Sequence, residues 1–180
     1  PTMLGVPVLL WISLYPLAKR FTALCHAWLG SSLALSPLAA ALAVAPESLV
    51  DLPALWCLAG MVLAWVTGFD ILYALQDVEI DRSQGLHSMP SRWGVGRSMW
   101  ISRGLHLVAI GLLIAAWWWT PAFRYVFLGG IVLAAGLLVW EHTLIARHGT
   151  GRITLAFFTL NGIVSCLLGL TGVIDVLSAG

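Results

Sequence analysis

The sequence predicts an all-α, polytopic transmembrane helical bundle, and three observations carry that expectation. Hydrophobic residues fill 60% of the 180 positions and charged residues 9%, with a mean hydropathy of +0.94; a soluble domain carries about 25% charged residues. Apolar stretches near the roughly 20 residues that a bilayer span needs recur along the whole chain. The basic residues, finally, crowd into alternate loops. A transmembrane β-barrel would need a strict dyad alternation that these stretches lack. One signal-peptide core cannot account for six apolar segments.

The first segment, about 3–17, is short for a span and follows Pro1 directly. The chain is therefore expected to begin inside a helix, with sequence upstream of it missing. The segment ends on Tyr15-Pro-Leu-Ala-Lys-Arg20, where Tyr15 and Lys19 stand one helical turn apart. A flexible lysine point charge suits a diphosphate; basic anchoring with an interfacial tyrosine accounts for the same residues.

The second segment, about 28–45, carries no charge. The third, about 54–75, has nothing ionisable until Asp70, which appears while the apolar pattern is still running. A carboxylate at membrane depth is a functional-site hypothesis, because burying one costs several kcal/mol by most measures (~3 kcal/mol on insertion scales). Asp77 and Asp81 follow at 7- and 4-residue steps. At about 100° per residue, a continuous helix gathers all three carboxylates into a sector about 40° wide. Three like charges on one stripe repel unless a cation sits among them. At a membrane-helix mouth the natural occupant is Mg²⁺, which takes one or two carboxylates and completes its shell with water and phosphate oxygens. Tyr73 lies near the stripe, Gln76 well off it, and Glu79 roughly opposite. Arg82 is either a phosphate ligand or a partner of Asp81.

Gly85-Leu-His-Ser-Met-Pro90 then makes a tight loop. Its backbone N–H groups, His87 and the Ser88 hydroxyl are candidates to approach phosphate oxygens. The fourth and fifth segments, about 104–121 and 122–140, are separated by Trp117-Trp118-Trp119 and Pro121, an interfacial aromatic belt. Glu141-His142 is placed at a helix end, with a structural role. The histidines His26, His106, His142 and His148 have no partner at metal-ligand spacing. The last segment, about 153–177, carries Asn161, suited to a hydrogen bond between helices.

The loops divide the charges sharply. Lys19, Arg20, Arg82, Arg92, Arg97, Arg103, Arg147 and Arg152 fall on one side; Arg124 alone falls on the other, with Glu47, Asp51 and Asp175. Eight against one puts the aspartate motif on the cytoplasmic face, which in a bacterium means the inner (plasma) membrane. Cys25, Cys57 and Cys166 are scattered and odd in number, which fits small membrane residues and neither a disulfide framework nor a zinc site. Residues 1–180 form a single membrane domain with no repeat and no soluble module. The lipid bilayer is the expected surrounding, and no nucleic-acid partner is expected.

Taken together, the motifs resemble those of UbiA-type membrane prenyltransferases. Tyr15-Pro-Leu-Ala-Lys-Arg20 is similar to that family's Y-P-x-x-K-R element. Asp70-x-x-Tyr-Ala-x-Gln-Asp77-x-x-x-Asp81, followed by Gly85-x-x-Ser88, resembles its second aspartate-rich motif, and Glu141-His142 and Phe157-Phe-x-x-Asn161-x-x-x-Ser165 resemble its later helices. The Gly-Leu-His-Ser-x-Pro wording is similar to the 4-hydroxybenzoate and menaquinone-pathway branch. The family's first motif, N-D-x-x-D-x-x-x-D, is absent from these residues. The resemblance implies a fold of about nine transmembrane helices, of which this chain would supply five and part of a sixth. It implies transfer of a polyprenyl group from a polyprenyl diphosphate to an aromatic acceptor such as 4-hydroxybenzoate, in quinone biosynthesis. Mg²⁺ on Asp77 and Asp81, with Asp70 nearby, and the cation Lys19 would neutralise the diphosphate, with Tyr15, Arg20, Arg82, His87 and Ser88 on the substrate side. Tyr73 would face the allylic cation. Two other classes stay open: a CDP-alcohol phosphotransferase, whose D-G-x-x-A-R pattern fails at Ile71, and a cation-coupled transporter, which usually shows paired half-repeats.

Overall fold

The computed structural model describes residues 2–153 and 155–179, and of residues 2, 152 and 155–157 the backbone alone. Pro1 and the side chains of Arg152 and Phe157 lie outside the described residues. The described chain is all-α. In order come α1 (Thr2–Ala18), α2 (Cys25–Val44), the short α3 (Ser48–Asp51) and α4 (Pro53–Tyr73). A 3-10 turn (Ala74–Asp77) leads on to α5 (Val78–Ser83) and α6 (Met89–Trp93), then to α7 (Val95–Trp119) and α8 (Tyr125–His148). A second 3-10 turn (Gly149–Arg152) and a wide π-type stretch (Leu155–Leu160) precede α9 (Asn161–Ala179).

Among the described residues, five helical stretches are long and apolar enough to cross a membrane: Cys25–Val44, Pro53–Ser83, Val95–Trp119, Tyr125–Gly151 and Phe158–Ala179. Met3–Ala18 is a shorter apolar helix. These are the five segments and the short first one that hydropathy predicts, but two edges differ. Helix α7 starts at Val95 and α8 runs to His148, so Arg97, Arg103, Glu141 and His142 are helical. Glu141-His142 is thus not a helix end. Hydropathy marks where side chains turn polar. The backbone keeps its internal hydrogen bonds past that point, because membrane surroundings offer no others, and long basic side chains reach out to the interface.

Successive spans run antiparallel. His26 near the start of α2 meets Asp70 near the end of α4, and Asn161 at the start of α9 meets Glu141 late in α8. Glycines set the closest approaches. A Cβ at Gly30 would overlap Thr67 and the Leu63 carbonyl, one at Gly68 would overlap His106, and one at Gly130 would overlap Thr171. With lipid as apolar as the helices themselves, this close contact is what favours association. The main core joins α4, α7, α8 and α9 through Met61, Ala64, Leu113, Phe127, Ala134 and Leu168; a second cluster, Leu72, Leu75, Leu144, Ile145 and Ile153, lies beneath the basic end.

At the opposite end Trp118 and Trp119 are exposed, as an interfacial belt requires, and Trp117 Nε1 donates to the Arg124 carbonyl. Asp175 is not a loop acid there. It is buried on α9, and its Oδ2 accepts from the Arg124 and Phe127 backbone N–H groups at 2.6 and 2.8 Å. It caps α8 from a neighbouring helix, where a carboxylate also favours the positive end of the helix dipole.

Candidate active site

The expected carboxylate stripe exists only in part, because the helix changes pitch. Ala74–Asp77 is wound as a 3-10 turn, at about 120° per residue instead of about 100°. The four tighter steps turn Asp77 by about 60° and Asp81 by about 100° away from the Asp70 direction. Asp70 and the later pair therefore belong to different surroundings.

Asp70 faces α2, where His26 Nδ1 lies 2.6 Å from its Oδ2. His26 Nε2 in turn accepts from the Met89 backbone N–H at 3.2 Å, which fixes the tautomer: Nδ1 carries a proton toward Asp70. Asp81 is buried, 1% exposed, and receives the Ser88 hydroxyl at 2.5 Å and the Lys19 ammonium at 2.7 Å. Asp77, more open, lies 3.9 Å from the same ammonium. Lys19 is therefore the cation between these two carboxylates. Burial makes its contact with Asp81 much stronger than a surface ion pair, and the charge left on Asp77 still faces solvent.

Local backbone holds this arrangement. Lys19 lies just past the end of α1, and its carbonyl accepts from the His87 N–H at 2.7 Å; the Leu86 N–H donates to the Asp81 carbonyl at 2.7 Å. Gly85, at φ +67°, makes the tight return that brings residues 86–88 back onto Asp81. Ser88 caps α6 by accepting from the Ser91 N–H. The Cys25 thiol approaches the His87 carbonyl at 3.7 Å, and all three cysteines are free.

Several expected contacts are spent on building the site. The Ser88 side chain is fully buried against Asp81, and the His87 N–H is committed to Lys19, so neither of these groups is turned outward to a phosphate. Arg82 does not pair with Asp81: its Nε donates to the Ser91 carbonyl, 3.2 Å away, and the side chain is exposed. Arg20 is exposed and Tyr15 half-buried, both beside Lys19 in sequence. Tyr73 packs against the second core cluster. Glu79 and Gln76 are exposed, off the site.

Two carboxylates that already share one cation fit a hard divalent ion whose remaining ligands come from a diphosphate. Asp70, held by His26, stands apart from them, and among the described residues no three His, Cys, Asp or Glu side chains form a metal-binding group. An apolar cavity of about 640 Å³ lies between α2, α4 and α9, and its walls include Phe69, the residue before Asp70, with Leu33, Pro37, Trp65, Asn161 and Ser165.

His26 is the site residue that spacing missed. A lone histidine gives no ligand pattern, but it is the one histidine at the mouth of the second span. The acid at Asp70 calls for such a partner. A second polar cluster was equally hidden: the Trp65 indole donates to Asn161 Oδ1 at 3.1 Å, Asn161 Nδ2 to Glu141 Oε1 at 3.1 Å, and His106 Nδ1 meets His142 Nε2 at 3.0 Å and lies 3.9 Å from Glu141 Oε2. His106 and His142 are thus partners after all, across α7 and α8.

The model of the UbiA prenyltransferase family matches residues 1–163. A 4-hydroxybenzoate octaprenyltransferase of Coxiella burnetii is 33% identical over 148 residues, 81% of this chain and 48% of that protein. Another from Aromatoleum aromaticum is 30% identical over 176 residues, 96% of this chain and 56% of that protein. Among solved structures, a UbiA homolog from Aeropyrum pernix K1 superposes with a TM-score of 0.81 at 28% identity, covering 96% of this chain and 63% of that one. The chain spans about half the length of the curated relatives it matches.

Proposed function

The chain belongs to the UbiA prenyltransferase family, and on that premise we propose that it forms the second-aspartate-motif part of an enzyme that transfers a polyprenyl group from its diphosphate to an aromatic acceptor such as 4-hydroxybenzoate. The observation that carries this reading is the convergence of Asp77 and Asp81 on a single cation, Lys19 Nζ, at a helix mouth. The acceptor class follows the names of the relatives.

In this proposal Asp77 and Asp81 would hold Mg²⁺ together with the donor diphosphate, and the ion would supply positive charge to the leaving group. Lys19 turns from the carboxylates toward phosphate oxygens, adding a second positive charge. Asp70 and His26 fix the mouth of the apolar cavity, and the isoprenoid tail lies along Phe69 and Trp65. Tyr73, with its aromatic face, serves the developing cation; Tyr15, Arg20, Arg82 and His87 ring the polar rim. The aromatic carbon bonds to the allylic carbon, diphosphate leaves, and the ring proton on the attacked carbon is lost. The protein is an integral membrane protein, and the eight-to-one basic asymmetry supports a cytoplasmic site in the inner membrane. The family's other aspartate motif is not among these residues, so the 180 residues alone are proposed to be inactive.

The test is a transfer assay on the full-length protein with a labelled polyprenyl diphosphate, a panel of aromatic acids and Mg²⁺. Metal-dependent formation of a prenylated aromatic acid is the expected result. Diphosphate release without any prenylated product, or transfer indifferent to chelation, would refute the reading. For topology, a cysteine at the exposed Gln84 should react with an impermeant reagent only in inverted vesicles; labelling in intact cells would place the site on the other face.

A further inference from the structure

Away from the carboxylates, α7 and α8 enclose a groove of about 500 Å³, and none of its lining residues belongs to the site just described. It is graded along its length. At the basic end stand Arg103 and Arg147, and deeper stand His106 and His142; beyond them the walls are Leu107, Ile110, Leu138 and Val139. Antiparallel packing puts both arginines on the same, outer side of the histidines: His106 contacts His142, and Arg103 and Arg147 lie about 4.5 and 7.5 Å outward along their helices.

Neither guanidinium has a carboxylate within ion-pair distance among the described residues. Arg103 lies instead 4.6 Å above the ring of Trp100, which is itself 70% exposed. This stacking holds the cation at the interface while leaving its N–H groups open, since the ring engages only the face of the guanidinium. His142, 9% exposed, lines the groove and has a buried Nδ1 with no hydrogen-bond partner among the described residues.

We propose that this groove is a binding site for one anionic glycerophospholipid of the surrounding leaflet, its phosphate between Arg103 and Arg147, its glycerol ester oxygens toward His142, and one acyl chain along Leu107, Ile110 and Val139. The charge order selects the occupant. Two unpaired guanidiniums at headgroup depth attract a negative phosphate, and the apolar floor below them takes a chain and nothing ionic. A zwitterionic lipid offers the same chain but no net charge, and a free phosphate offers the charge but no chain.

Native mass spectrometry of the full-length protein in detergent tests this, with phosphatidylglycerol, phosphatidylcholine, inorganic phosphate and a polyprenyl diphosphate as probes. One phosphatidylglycerol should be retained at a concentration on the order of tenfold below that needed for phosphatidylcholine. Arg103→Gln with Arg147→Gln should abolish that preference. Val139→Trp places bulk in the groove from a position already 67% exposed; it should block retention while leaving helicity and elution volume unchanged. Equal retention of both lipids overturns the proposal, as does a preference that survives both sets of substitutions. Displacement by millimolar phosphate would make it a simple anion site, and preferential displacement by the polyprenyl diphosphate would make it a donor site; either refutes the phospholipid.

Discussion

At the basic end of the bundle, a carboxylate 1% exposed touches a lysine 28% exposed, with a second, more open carboxylate 3.9 Å from the same nitrogen. In the interior, Glu141, His106, His142 and Asn161 are all buried and bond mainly to one another. The two centres draw on overlapping residue types, yet their surroundings assign them different work. A cation shared between a closed and an open carboxylate can be exchanged for another cation or turned to an incoming anion. A chain of buried side chains from α4, α7, α8 and α9 ties four helices together, and any change there is felt first as a change in packing. Polar groups at membrane depth point to function by default; here an open carboxylate beside a shared cation separates the site from the tie.

The sharpest way to break this contrast is Asp77→Ala. Turnover in the full-length protein should fall by about two to three orders of magnitude, as for loss of a group that stabilises a leaving charge, with thermal stability unchanged. Glu79→Ala should be mild. Equal losses at both would remove the distinction between the site and its surroundings. Asp81→Ala should lose activity and also about 3 kcal/mol of stability, since Ser88 would keep no carboxylate and Lys19 only the distant one; thermal denaturation beside the transfer assay separates the two effects.

The interior centre should respond the other way. Glu141→Ala should cost about 2 kcal/mol by removing the acceptor of the Asn161 Nδ2 hydrogen bond inside the bundle, while turnover per folded molecule stays within about threefold of the parent. A collapse of turnover without loss of stability would move this cluster into the chemistry. Gly68→Ala sharpens the point, because its methyl group would push against His106; overpacking of this kind costs about 1–3 kcal/mol and should appear in the melting temperature. The smallest effect is expected at Lys19. Lys19→Ala should raise the donor KM more than the acceptor KM, with partial rescue by Lys19→Arg, whose planar fork differs from a point charge. Unchanged donor affinity would leave Lys19 as an anchor for Asp81 and for membrane orientation.

Much of this was legible in the sequence, for reasons tied to particular residues. The spans stand out because apolar runs of this length have few alternatives, and Lys19, Asp77 and Asp81 stand out because charges interrupt those runs. The union of Lys19 with Asp81 was not legible: the two lie 62 positions apart, and only the return through Gly85 brings Leu86, His87 and Ser88 to both. The stripe from Asp70 to Asp81 failed because periodicity assumes a single pitch, and nothing in Ala74-Leu-Gln-Asp77 announces a 3-10 turn. A charge usually marks a helix end, but Glu141 lies two turns inside α8, where Asn161 of α9 donates to its Oε1 and His106 of α7 stands 3.9 Å from its Oε2.

The carboxylate of Asp175 carries a consequence for how the bundle is made. Helix α8 lacks a side-chain cap of its own: Arg124 stands at its N-terminal boundary, and the backbone amides of Arg124 and Phe127 are closed by an acid roughly fifty residues downstream. During synthesis α8 is translated first, with that end unfinished, and its stabilising partner arrives only once α9 has crossed back. The pair therefore matures as one hairpin, and a ribosome stalled between them would hold a span that still exchanges its first-turn amides with solvent. Asp175→Asn, which keeps an acceptor but removes the charge, should then slow acquisition of protease resistance in α8 during translation, while leaving the earlier spans on schedule.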